Sequence, residues 1–213
     1  MYLVLGIVGF ALAIIIHEVA HGLAADRLGD PTARLSGRLT LNPIPHIDIY
    51  GTILVPLLLF LFRSPFLFGW AKPVPIDPYN LKNPKKDAAL ISLAGPAANI
   101  AFAIILSVFL RILLVMYPSA PFFGLFFNLI NINLILAIFN LIPIHPLDGG
   151  KILVGILPDK QSREFDTFLS RFGMVLLFFL IFPIFGGSSL ISPIMSPVIE
   201  FFLKLLIPGF STI

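Results

Sequence analysis

Two stretches, Ala88–Leu110 and Phe122–Ile142, contain no charged residue and lie on either side of the short turn Tyr117–Pro121. At 1.5 Å per helical residue each is long enough to cross the roughly 30 Å hydrocarbon core of a bilayer. A chain with two such runs can satisfy its backbone only as helices buried in lipid or in protein. Composition extends this to the whole molecule: of 213 residues, 58% are hydrophobic and 12% charged, and 22 are phenylalanine. Soluble domains carry roughly 25% charged residues. A soluble enzyme, a disordered chain and a nucleic-acid binder are thereby excluded, and a polytopic membrane protein is expected. Cysteine is absent, which removes disulfides, thiol catalysis and thiolate metal ligands together.

The expected fold is all-α, with five to six transmembrane helices in a single membrane-embedded domain covering residues 1–213. Tyr2–Ala25 forms the first span; it lacks the basic leader and small-residue cleavage site of a signal peptide. Thr167–Phe185 supplies another span, and Leu190–Ile207, interrupted by Pro193, Pro197, Glu200 and Lys204, either crosses or lies at the interface. Gly51–Phe62 reaches only about 18 Å as a helix. Arg63 and Pro65 break it before an apolar return over Ser64–Trp70, the pattern of a re-entrant segment. If it does not cross, Arg27, Arg34, Arg38, Arg63, Lys72, Lys82, Lys85, Lys86, Lys151, Lys160, Arg163 and Arg171 all lie on one side. Of the 14 basic residues only Arg111 and Lys204 stand outside that set. The positive-inside rule makes this side the cytoplasm.

Two of the four histidines occur in His17-Glu18-Val19-Ala20-His21. A spacing of four residues stacks both imidazoles on one helix face, where they can share a metal, with Glu18 placed to act as general base. Ionisable residues beside an apolar run cost about 2.5–3.5 kcal/mol each on insertion scales for acidic or basic side chains, so a functional pairing outweighs chance. A third ligand must be histidine or carboxylate. Asp148 stands out, because Pro143 and Pro146 end the preceding helix and Gly149–Gly150 permit a turn back. With a re-entrant Gly51–Phe62, the first span and Phe122–Ile142 both run inward and bring His17, His21 and Asp148 to the same side.

The stretches HEVAHG (His17–Gly22), GPAAN (Gly95–Asn99) and NLIPIHPLDGG (Asn140–Gly150), with LNPIPHID (Leu41–Asp48) and GWAKPVPID (Gly69–Asp77), resemble the site-2 proteases, intramembrane zinc metalloproteases, in their compact prokaryotic form. The resemblance runs from the first span to about residue 155. It implies one zinc ion held by His17, His21 and Asp148, Glu18 as catalytic base, and Asn140 positioning substrate or the oxyanion. His145 stands where a proline or apolar residue is expected; it reads as an interfacial histidine, with a ligand role as the alternative. Asn99 shares a small-residue stripe with Gly95 and Ala103 and reads as polar glue between helices, or else as a substrate contact. Asn133 shares a face with Asn140. His46 and Asp48 read as a solvated turn.

The expected reaction is zinc-assisted peptide hydrolysis in or near transmembrane segments, with a membrane-protein substrate and the bilayer as partners, no nucleic acid, and a homo-oligomer allowed. The location expected is the cytoplasmic membrane, with the active site towards the cytoplasm. Arg34–Leu41 alternates loosely, and Pro73 and Pro75 strip donors from one edge of Lys72–Asp77. A small β element there, accepting an extended substrate along the edge that carries Val74, is the expected means of unwinding a helix. The competing classes are a non-catalytic helix-binding relative, against which Glu18 argues, and a metal transporter, against which the scarcity of ligands on later spans argues. No PDZ-like filter is expected within these 213 residues.

Overall fold

The computed structural model describes residues 2–62, 69–117, 122–182, 189–207 and 209. Three long helices form its frame. Helix α1 (Tyr2–Leu28) has no internal proline and ends where Gly29 takes φ +110°, which lets Asp30 N–H reach back to the Ala25 carbonyl at 2.9 Å. Helix α4 (Pro84–Met116) starts with proline in its first position and an Asp87 carboxylate that accepts the Asn83 N–H at 2.8 Å. Helix α5 (Phe123–Asn140) is apolar on all faces but for its asparagines. Among the described residues these three are the helices long and apolar enough to cross a membrane.

Their packing fixes direction. Ala25 at the end of α1 packs with Ile91 near the start of α4, and Ala13 meets Asn99 two turns further on, so α1 and α4 are antiparallel. Asn99 also bonds Asn133 of α5, and Asp148 just past α5 meets His17. The ends of α1 and α5 and the beginning of α4 therefore lie together at one end of the bundle. A second apolar core, with Leu110, Ile130, Leu134, Met195 and Leu203, joins α4 and α5 to α8 (Ser192–Leu206) towards the other end. There Arg111 Nη2 donates to the Leu205 carbonyl at 2.9 Å, and Ser107 Oγ donates to that of Leu206, satisfying the open C-terminal turn of α8.

Helices α6 (Asp148–Ile156) and α7 (Asp159–Ile181) complete the fold. The turn from α5 into α6 folds so tightly that a Cβ on Gly149 would stand 2.3 Å from the Ile142 carbonyl oxygen. The span expected over Thr167–Phe185 corresponds to α7, whose first turns are polar, with Asp159, Lys160, Arg163 and Glu164, and which is not among the three helices apolar enough to cross by length and composition; residues 183–185 lie outside the described set. The five to six crossing helices expected from sequence are thus three among the described residues.

The expected β element is not formed; no strand occurs among the described residues. Arg34 and Leu35 belong instead to a short helix, α2 (Thr32–Leu35), closed by the Leu35 N–H to Pro31 carbonyl bond at 2.9 Å and ended by Gly37 at φ +65°. The loose alternation of Arg34–Leu41 is too weak to resist that local turn. Residues 69–77 run extended as a strap, but its N–H groups are taken one by one. Trp70 donates to the Gly51 carbonyl at 3.1 Å, Lys72 to that of His46 at 2.9 Å, and Asp77 to Asp30 Oδ2 at 2.8 Å. Pro73 and Pro75 offer no donors, so no ladder can start. Asp30 is fully buried and collects further bonds from the Thr32 backbone and hydroxyl and from Asn80. Burial would raise its pKa, but these bonds win and hold the carboxyl below its ordinary range.

Segment Gly51–Phe62 is a π-helical stretch, Ile49–Leu54, followed by α3 (Val55–Leu61). Asp48 caps it by accepting the N–H groups of Tyr50 and Gly51 at 3.0 and 2.7 Å. Thr52 Oγ1 donates to the Trp70 carbonyl at 2.9 Å, so the chain returns to the level from which α3 departs. His46, expected in a solvated turn, is instead buried, with Nε2 bonded to the Thr40 carbonyl at 2.9 Å.

Candidate metal centre

Helix α1 carries His17 and His21 one turn apart on the face turned towards α4, their rings 4.5 Å between centroids and nearly perpendicular. Each ring is held through Nδ1. His21 Nδ1–H donates to the Ile91 carbonyl at 2.7 Å, an oxygen that can only accept. His17 Nδ1 lies 2.7 Å from Asn99 Oδ1. The orientation of that amide follows from its other end: Asn99 Nδ2 donates to the Ala13 carbonyl and to Asn133 Oδ1, both at 2.9 Å, while Asn133 Nδ2 donates to the Leu129 carbonyl at 2.8 Å. Backbone carbonyls at both ends thus force Asn99 to present oxygen to His17, and the His17 proton sits on Nδ1.

With both protons on Nδ1, the two Nε2 lone pairs point to a common space. Asp148 Oδ2 enters the same space, 3.0 Å from His17 Nε2 and 3.2 Å from His21 Nε2. All three side chains are buried, and their ligand atoms lie within 4.8 Å of one another. Three acceptors converging in a buried place repel unless a cation lies between them. Tetrahedral ligands about 2.1 Å from zinc stand about 3.4 Å apart, close to the separations observed, so two imidazoles and a carboxylate fit a zinc ion with one position left for a reactant. Among the described residues this is the single group of such ligands.

Gly95 of α4 makes room for it. A Cβ there would stand 2.6 Å from His21 Nε2 and 2.7 Å from His17 Cε1. Beside the ligands lies a cavity of about 180 Å³, lined by Glu18, Pro73, Val74, Ile76, Ser92, Asn140, Pro146 and Lys151 as well as the three ligands. Glu18 Oε2 accepts the Val74 N–H at 2.8 Å, which fixes the carboxylate at the cavity wall and leaves its second oxygen without a hydrogen bond among the described residues. Asn140 Nδ2 spends one hydrogen on the Leu136 carbonyl at 2.9 Å and keeps another.

Two expectations for individual residues change. Asn99 is fully buried behind His17 and does not line the cavity, so it orients a ligand and cannot contact substrate. Val74 does line the cavity, but its N–H is committed to Glu18, so the edge that was to receive a substrate strand is already paired. His145 lies outside the ligand group and bonds Asp166 Oδ1 at 3.1 Å. Lys151 and Ser92 escaped the sequence reading; the available signal for Lys151 was its position three residues after Asp148, on the same helix face.

The amide of Asn99 holds His17 as hydrogen-bond partners behind a metal site commonly hold its imidazole ligands. Asn99→Ala is therefore expected to weaken zinc affinity about 10- to 100-fold, measured by competition with a chromophoric chelator; unchanged affinity would remove Asn99 from the site.

Residues 115–180 match peptidase family M50. The chain is 37% identical over 196 residues to "Putative zinc metalloprotease YwhC" of Bacillus subtilis, an alignment covering 89% of this chain and 84% of the relative. It is 29% identical over 177 residues to "Putative zinc metalloprotease Rip2" of Mycobacterium tuberculosis, covering 83% of this chain and 66% of the relative. A shorter match, 40% over 81 residues, covers 38% of this chain and 23% of "Zinc metalloprotease MJ0392" of Methanocaldococcus jannaschii. No solved structure matches the chain significantly.

Proposed function

Because the chain belongs to peptidase family M50, the site-2 proteases, and is a zinc metalloprotease, we propose that it hydrolyses peptide bonds in or next to the transmembrane segments of other membrane proteins. The observation that carries this reading is the convergence of His17, His21 and Asp148 in a cavity that also holds Glu18, between helices apolar enough to cross a bilayer.

His17, His21 and Asp148 would hold the ion. When bound, zinc supplies Lewis-acid polarisation of the scissile carbonyl and lowers the pKa of an attacking water. Glu18 takes the water's proton on the oxygen that does not bond Val74, and returns it to the departing amine. Asn140 donates its remaining amide hydrogen to the oxyanion. Pro73, Val74 and Ile76 form an apolar wall of the cavity, against which an unwound, extended peptide lies. A helical substrate must lose its internal bonds before its carbonyl can reach the site.

In the bilayer, α7 and α8 join the three long helices. Phe168, Phe172, Val175 and Phe178 of α7, with Ile194 and Phe201 of α8, are all exposed and apolar, as lipid contacts require. Gly51–Phe62 dips into the membrane and returns, a reading supported by the antiparallel α1 and α4 and by the bonds joining Gly51 and Thr52 to Trp70. The loop-rich end bearing the site faces the cytoplasm, by the distribution of lysine and arginine.

The test is cleavage of single-span peptides reconstituted with the zinc-loaded protein in liposomes, with products located by mass spectrometry. Cuts within or beside the apolar segment, more frequent when glycine or asparagine loosens the substrate helix, are expected. Cleavage confined to soluble unstructured peptides would refute the membrane assignment.

A further inference from the structure

Among the described residues, Arg38 is the one lysine or arginine that the fold buries, being 6% exposed. Its Nη2 donates to the strap carbonyls of Lys72 at 2.6 Å and Pro73 at 3.2 Å. Its Nε is buried with no partner, and among the described residues no carboxylate lies within ion-pairing distance. Carbonyl dipoles compensate a buried guanidinium only partly, and the remaining cost calls for an anion. Arg38 borders a cleft of about 480 Å³, distinct from the metal cavity, whose other walls are Ser36, Pro45, Lys72, Pro73 and Pro75. The cleft is thus lined by the buried Arg38, the exposed Lys72 and Ser36, and by no acidic residue.

We propose that this cleft binds the phosphate of an anionic phospholipid headgroup. A guanidinium and a nearby ammonium suit a phosphate oxygen pair. The flanking chain favours lipid over free phosphate: Leu35, Leu41, Ile44, Ile49 and Tyr50, on the loop that supplies Ser36 and Pro45, are each more than 60% exposed. Large apolar side chains left uncovered around a basic cleft belong at a membrane interface, where headgroups lie. The consequence reaches the catalytic site. Arg38 grips the strap at Lys72 and Pro73, immediately before the Val74 N–H that holds Glu18. A headgroup that neutralises Arg38 therefore steadies the strap and, through it, the base.

Trp70 is the single tryptophan of the chain, on the same strap two residues before Lys72, and its fluorescence is one readout beside direct calorimetric titration. The full-length protein in neutral detergent is titrated with short-chain phosphatidylglycerol, and separately with inorganic phosphate and short-chain phosphatidylcholine. A saturable change with phosphatidylglycerol is expected, at lower concentration than either comparison. Arg38→Gln should weaken it about tenfold or more. Since Arg38→Gln also removes a brace of the fold, Lys72→Gln serves as the second variant: its side chain is exposed, and it should lower affinity severalfold with an unchanged melting temperature. Equal affinity for inorganic phosphate would make free phosphate the ligand and overturn the lipid assignment, as would equal affinity for phosphatidylcholine. No saturable response, or a response untouched in Lys72→Gln, would overturn the site itself.

Discussion

Glu18→Gln is expected to reduce peptide cleavage on the order of 10³-fold while leaving one zinc per chain, the loss typical of a missing general base. The substitution is nearly isosteric. A glutamine oxygen can still accept the Val74 N–H that Glu18 accepts at 2.8 Å, so the strap keeps its place. The ligand side chains are those of His17, His21 and Asp148, and none of their bonds involves Glu18. Only the capacity to take a proton is lost. Zinc content and melting temperature unchanged, with turnover nearly abolished, would assign the base. A variant retaining a tenth or more of the activity would show that another group lining the cavity, such as Lys151, moves the proton.

Gly95→Ala is the second large effect, and it acts on the metal. The added methyl carbon would lie 2.6 Å from His21 Nε2 and 2.7 Å from His17 Cε1, well inside van der Waals contact. Neither ring can swing clear, because Nδ1 of each is bonded at 2.7 Å, to the Ile91 carbonyl and to Asn99. The cost falls on the ligand geometry itself, and zinc affinity should drop at least about a hundredfold, beyond what loss of an orienting partner causes. Gly124→Ala in α5 is the control, since nothing stands within 4 Å of its added Cβ. Chelator competition on both variants reads the difference directly. Zinc held by Gly95→Ala as tightly as by the wild type would mean that the rings are not fixed in this way.

Much of the centre was legible in the sequence because its determinants are local. His17 and His21 are one turn apart, and the prolines and glycines around Asp148 announce a turn that any reader of backbone preferences can find. The meeting of those two pieces required only that α1 and α5 run the same way, which the charge distribution already suggested. What stayed hidden depends on partners distant in sequence. Nothing in residues 91–99 marks the Ile91 carbonyl as the acceptor for His21, and Asn99 looks the same whether it joins helices or orients His17; it bonds Ala13, His17 and Asn133 at once. The strap failed as a strand for a related reason. Its alternating prolines were visible, but the claims of Glu18, Asp30, His46 and Gly51 on its N–H groups were not. The expected spans beyond the three long helices are those whose apolar runs are short or broken: α7 opens on polar turns, and α8 carries an internal proline and Lys204.

Whether His17, His21 and Asp148 together hold the catalytic zinc is read by counting zinc per chain in the purified protein and three variants. The wild type is expected to hold one zinc. His21→Ala and Asp148→Ala should lose it, and His145→Ala, which removes only a bond to Asp166, should keep it. Zinc retained by Asp148→Ala but lost from His145→Ala, or a wild type that takes up no zinc when it is supplied, would rule out this ligand set.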